Sequence, residues 1–178
     1  MKISRRMALL LSSAVFLVAA CSQSFAKQAQ GKPPSTPAAI VLEAWNDVGN
    51  RTIAMAEDWP ESKYGYRPND KVRTFQQVLL HVAGSNYSLV NALRGQKLGN
   101  EENDPSVAAF KTKEQTVEFL NKSVADGAAT IQQEGDAGAL MHLRGWIGYT
   151  EHMGEHYGLL VGYYRNNGVV PPESRPKK

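Results

Sequence analysis

The chain has 178 residues, of which 42% are hydrophobic and 21% charged, with a single cysteine. That balance excludes an intrinsically disordered chain, and the lone cysteine excludes an internal disulfide framework. The net charge is +3, but Lys2, Arg5 and Arg6 supply three positive side chains within residues 1–26, which hold no acidic residue, so the remainder sums to about zero and charge makes no case for nucleic-acid binding.

Residues 1–26 read as an export signal. Lys2, Arg5 and Arg6 form a basic start, and Met7 to Ala20 is apolar apart from Ser12 and Ser13. That run is shorter than the ~20 residues a membrane-spanning helix needs and suits a signal-peptide core. Two processing sites compete. Val18-Ala19-Ala20-Cys21 resembles a lipobox, in which Cys21 is lipidated, whereas Ser24-Phe25-Ala26 resembles an ordinary small-x-small cleavage site. Ser4-Arg5-Arg6 has some likeness to a twin-arginine start, although Ala8 stands where a bulky apolar residue is usual. The expected destination is the periplasm or cell envelope, with membrane contact only through a lipid anchor. Residues 27–36 are polar and proline-rich and read as a flexible linker.

Helix one is predicted from Thr36 as N-cap with Pro37 in the first helical position; Val41, Leu42, Trp45, Val48, Thr52, Met55 and Ala56 recur at helical spacing until Trp59-Pro60 stops it. Glu61 to Arg73 reads as a loop. Thr74 and Gln77 form a capping box that opens helix two, whose apolar stripe runs from Phe75 to Leu93 before Gly95. Asn100 to Asp104 is an acidic loop. Thr112 and Gln115 form a second capping box for helix three, with Val117, Leu120, Val124, Ala128 and Ile131 on its stripe and Gly135 as its end. Helix four begins between Asp136 and Arg144 and ends at Asn167-Gly168, ahead of Pro171-Pro172. No period of two persists, so the fold class is all-α, a four-helix bundle over residues 37–174, followed by a short tail, 175–178. About 150 residues are enough to sustain such a core.

Candidate chemistry lies in the histidines. His152 and His156 are four apart, so they leave one helix face about 40° apart and one turn along the axis, a spacing suited to chelating one ion. Gly148, Tyr149, Leu159, Leu160 and Tyr163 share that face, which places the imidazoles toward the interior, where they require partners. His81 lies on the edge of the helix-two stripe beside Ser85 and Ser88, small residues that leave room for a pocket. His142 falls out of register with the pair and is not expected to be a ligand. His152-Met153-Gly154-Glu155-His156 also matches the H-x-x-E-H protease signature, but the only downstream side-chain carboxylate is Glu173, behind two prolines, which argues against that reading. Glu155 remains a candidate general base, with a surface ion pair as its plainer role.

With those residues placed, the sequence resembles the DinB superfamily, the YfiT-like metal-dependent hydrolases and thiol transferases. The likeness is carried by Tyr64-Gly65-Tyr66-Arg67-Pro68, by Thr74-Phe75 leading to His81-Val82-Ala83, and by His152 and His156 with Tyr157-Gly158. It continues through Tyr163-Tyr164-Arg165, Gly168 and Val170-Pro171-Pro172, and covers about residues 37 to 174. The resemblance implies a bundle in up-down-down-up order, often a homodimer, holding a divalent ion, usually zinc or nickel, on one helix-two histidine and an HxxxH pair. Those positions match His81, His152 and His156. Tyr66, Arg67, Ser85 and Tyr149 are the pocket candidates for a small-molecule substrate or ligand. The thiol-transferase members of the family are cytosolic, and an export signal departs from that pattern. Three readings follow: an enzyme of hydrolase or thiol-transferase type, a non-catalytic envelope protein that binds metal or a ligand, and a plain bundle whose melting is indifferent to chelators.

Overall fold

The computed structural model describes residues 36–96 and 104–176. The expected signal segment, Cys21 and all of the linker but Thr36 lie outside the described residues, as does most of the acidic loop Asn100–Asp104. Within them are four helices, α1 (Pro37–Asp58), α2 (Phe75–Leu93), α3 (Lys113–Met141) and α4 (Leu143–Asn166), three short 3-10 turns, and no strand. The all-helical expectation is met. No helix among the described residues is long and apolar enough to cross a membrane.

The capping signals act where the residues place them. The Thr36 side chain accepts from the Ala39 N–H, and Pro37 opens α1. Both capping boxes form reciprocally, Thr74 with Gln77 and Thr112 with Gln115. Gly95 and Gly168 take positive φ, 73° and 68°, the left-handed geometry that lets a helix end without a Cβ clash. At each end two N–H groups turn back on the last carbonyls, Gly95 to Ala92 and Gln96 to Asn91, Gly168 to Arg165 and Val169 to Tyr164.

Helices α1 and α2 each pack chiefly on α3 and α4, so they occupy opposite corners of the bundle. The pairings run along the whole length of each helix. Near the start of α1, Ala38 N–H donates to Asp136 on α3, while Lys113 at the start of α3 reaches the carbonyls of Glu57 and Trp59. Gln76 meets Thr116, and Arg94 meets Asp126, so α2 follows α3 in the same direction.

Close approach of α1 and α3 depends on Gly49 and Gly127. A Cβ on Gly127 would stand 2.2 Å from the Trp45 ring. The buried Trp45 indole donates to the Val124 carbonyl at 2.9 Å and meets Trp146 edge-on at 5.4 Å. At the opposite end Trp59 stacks on Phe75 at 4.8 Å and touches Tyr164, while Tyr64 and Tyr164 donate their hydroxyls to the Ala56 and Met55 carbonyls. Those bonds satisfy the polar tips of otherwise apolar rings.

The expected end of α3 requires correction. Gly135 does break the helix, with φ 62° and ψ −164°, but the chain resumes helical geometry and continues to Met141. Asp136, just after the break, is held by the Ala38 N–H, and Glu134, just before it, turns to Trp146 and His142. Tertiary contacts on both sides of the glycine carry the helix through a residue that by itself reads as a stop. The junction with α4 falls at His142, and α4 continues unbroken past Gly145.

Candidate metal centre

The three histidines converge between α2 and α4. His81 sits between buried Leu80 and Val82, and His152 directly precedes the fully buried Met153. Buried Asn86 ties the helices together nearby, donating to Ser123 Oγ at 3.2 Å and to Met153 Sδ at 3.5 Å. Packing on both sides therefore fixes the Cα–Cβ directions of the histidines.

His81 Nε2 and His152 Nε2 stand 3.1 Å apart. Ring centroids are 5.0 Å apart for His81 and His152, 4.9 Å for His81 and His156, and 4.3 Å for His152 and His156. One ligating nitrogen from each ring lies within 4.8 Å of the other two. Nitrogens bonded at ~2.1 Å to one tetrahedral ion are separated by about 3.4 Å, so this set is able to hold a metal.

Proton placement agrees with that fit. His156 Nδ1 lies 2.9 Å from the His152 carbonyl, which only accepts, so Nδ1 carries the proton and the Nε2 lone pair is free. His81 Nδ1 faces Asp104 Oδ1 at 3.5 Å, too long and oblique to count as a hydrogen bond. Asp104 is itself held by Arg73 at 3.1 Å. A carboxylate hydrogen-bonded behind an imidazole fixes the ring and raises its basicity as a ligand, and Asp104 stands one short shift from that position. Burial pushes His152 down to about 4, with His156, His81 and Arg73 adding to the effect. Burial likewise lowers His81, reinforced by Arg73 and His156 and opposed by Asp104. Both rings are therefore neutral near pH 7, the form that ligates. The buried Nδ1 of His152 has no hydrogen-bond partner among the described residues.

A cavity of about 610 Å³ opens beside His152, lined by Ser85, Arg144, Gly145, Gly148, Tyr149 and His152. Ser85 and Tyr149, expected at a pocket, are there. Tyr66 and Arg67 are elsewhere: Tyr66 packs on Trp59 and Tyr163, and exposed Arg67 pairs with Asp70. Glu155 is exposed and is not among the cavity-lining residues. His142 pairs with Glu134 at 3.0 Å, away from the three converging rings.

Three residues at this site escaped sequence reasoning. Asp104 and Arg73 lie in loops without periodicity, and only the fold brings them to His81. Arg144 precedes His152 by eight residues, and its placement was legible only once the start of α4 was fixed.

The sequence model of the DinB superfamily matches residues 27–163. Neither the curated proteins nor the solved structures contain a match.

Proposed function

Since this chain belongs to the DinB superfamily, we propose that His81, His152 and His156 hold one divalent ion, zinc or nickel, and that the protein is a metal-dependent enzyme of hydrolase or thiol-transferase type. The observation that carries the reading is the convergence of three ring nitrogens from two helices within 4.8 Å of one another. Three imidazoles leave coordination positions for a substrate, and a divalent ion there supplies Lewis acidity. The chain's own contribution is positional. Asp104 and the His152 carbonyl orient two of the rings, and the cavity beside His152 admits a small molecule next to the ligand set.

The up-down-down-up helix order belongs to the same proposal, supported by the head-to-tail pairing of α1 with α3 and the parallel pairing of α2 with α3. Export to the cell envelope, with Cys21 as a lipid attachment point, rests on the basic and apolar pattern of residues 1–26. Homodimer formation is supported by an apolar stretch at one end, where Ile40, Leu140, Met141 and Ile147 are all exposed.

The deciding experiment is elemental analysis of the purified protein. One zinc or nickel per chain is expected, and the double variant His152→Ala, His156→Ala should lose it; full occupancy in that variant would refute the site. A second reading, metal or ligand binding without turnover, is favoured by the exposed position of Glu155, which leaves the cavity without an acid–base carboxylate among its lining residues. Tight metal binding with no metal-dependent turnover across esters, amides and thiol acceptors would select it.

A further inference from the structure

The cavity beside His152 has a polarity that the metal site alone does not explain. One end is the imidazole of His152; the other is Arg144. Eight residues of α-helix separate the two, a rise of about 12 Å. Arg144 is exposed and makes no hydrogen bond or ion pair among the described residues, whereas Arg73 is paired with Asp104 and Arg94 with Asp126. Between the ends the wall is mostly apolar, formed by Gly145, Gly148 and the Tyr149 ring, with the hydroxyls of Ser85 and Tyr149 as its polar groups. A Cβ built on Gly148 meets no atom within 4 Å, so the absence of a side chain there is not required by packing. It does leave the space open. Tyr149 forms one wall, its ring centroid 6.4 Å from that of His152, and its hydroxyl is unpaired among the described residues. Ser85 closes the α2 side.

A guanidinium with no partner among the described residues, at the far end of a largely apolar trough, complements an anion, and guanidinium geometry suits a carboxylate or a phosphate. We infer that this trough is a substrate channel for an elongated organic anion: its reacting end lies at the histidine cluster, an apolar middle runs over Gly148 and Tyr149, and a carboxylate or phosphate end sits on Arg144. Arg144 is thereby a specificity-determining residue. The assignment of the reacting end rests on the metal-centre reading proposed above, while the charge preference of the far end does not.

The test uses suberic acid monohydroxamate, which offers a metal-binding head, an apolar spacer and a carboxylate, against its methyl ester, which lacks only the charge. Metal content is measured first; both compounds are then titrated calorimetrically into the zinc-loaded protein. The acid should bind about fivefold more tightly than the ester, the scale of one partly exposed ion pair. Arg144→Gln should abolish that preference while leaving ester affinity and zinc content unchanged. Gly148→Leu, which fills open space, should weaken both compounds with zinc retained. Equal binding of acid and ester by the parent protein, or a preference that survives Arg144→Gln, overturns the channel. If the parent protein holds no zinc, the metal centre fails, and titration of octanoate against octanol into the metal-free protein and its Arg144→Gln variant decides the charge preference by the same criteria. A phosphate end is distinguished from a carboxylate end by octyl phosphate, tighter binding of which would assign the dianion.

Discussion

Asp104 illustrates how much of a binding site can hang on a residue that touches no ligand. It sits behind His81 at 3.5 Å and is held in turn by Arg73. Carboxylates that accept a hydrogen bond from a ligating imidazole commonly contribute about 10- to 100-fold to metal affinity, and the looser 3.5 Å contact here sets the lower end as the expectation. Asp104→Asn should therefore weaken zinc binding by about 10-fold in a chelator-competition titration while saturating stoichiometry is preserved; an unchanged affinity would show that the contact does not act on the site. The histidines also make the metal-free protein sensitive to acid. His81 and His152 titrate below their ordinary value of 6.5 in the folded state, so the unfolded chain takes up their protons first. Their neutral forms stabilise the fold fully above about pH 6.5, and that contribution is lost as pH falls toward 4. The melting midpoint of metal-free protein should fall across that window, and His152→Gln should flatten the fall relative to the parent.

At the scale of elements, the helices were largely legible because their signals are local. Thr36-Pro37, Thr74 with Gln77, and Thr112 with Gln115 name three starts from side-chain hydrogen bonds that span three residues. Gly95 and Gly168 name two ends through backbone geometry that other residues resist. The α3–α4 boundary was not legible, because Gly135 breaks the helix locally while Glu134 and Asp136 are fixed by residues distant in sequence. The proposed metal ligands fall between these cases. The His152–His156 spacing is local and visible, whereas His81 shows only as a possible third ligand on the edge of the helix-two stripe, because its approach depends on how α2 and α4 pack. Gly127 carries no signal of its own in the sequence, although it decides how closely α1 and α3 approach. Gly127→Ala should destabilise by about 1–3 kcal/mol, because the displaced neighbour is the rigid, buried Trp45 ring rather than a flexible chain end, and that outweighs the helix propensity gained. Thermal or urea unfolding checks this, and a stabilised variant would show that the indole has room to move.

Across the whole molecule, the apolar residues left on the surface are not scattered evenly. Met141 is 78% exposed and Ile147 57%, and Ile40 and Ile147 line an apolar groove of about 340 Å³ between α1 and α4. A second copy covering this region would remove it from water. The protein should therefore elute as a dimer in size-exclusion chromatography with light scattering, and Ile147→Glu should shift it to monomer without loss of helical content. A monomeric parent at tens of micromolar would remove the dimer from consideration.

His81 and His152 lie 71 residues apart in the chain, with all of α3 between them. Before α4 docks, a nascent or translocating polypeptide offers an ion only the His152–His156 pair, a bidentate grip with no third arm. If the proposed site takes up an ion, its three-armed form exists only in the folded state, and the compartment in which folding finishes determines which ion is available. A chain threaded unfolded across a membrane would draw its ion from the far side; one carried across already folded would bring a cytosolic ion along. The identity of any metal in protein isolated from its native compartment would thus also record where the chain finished folding.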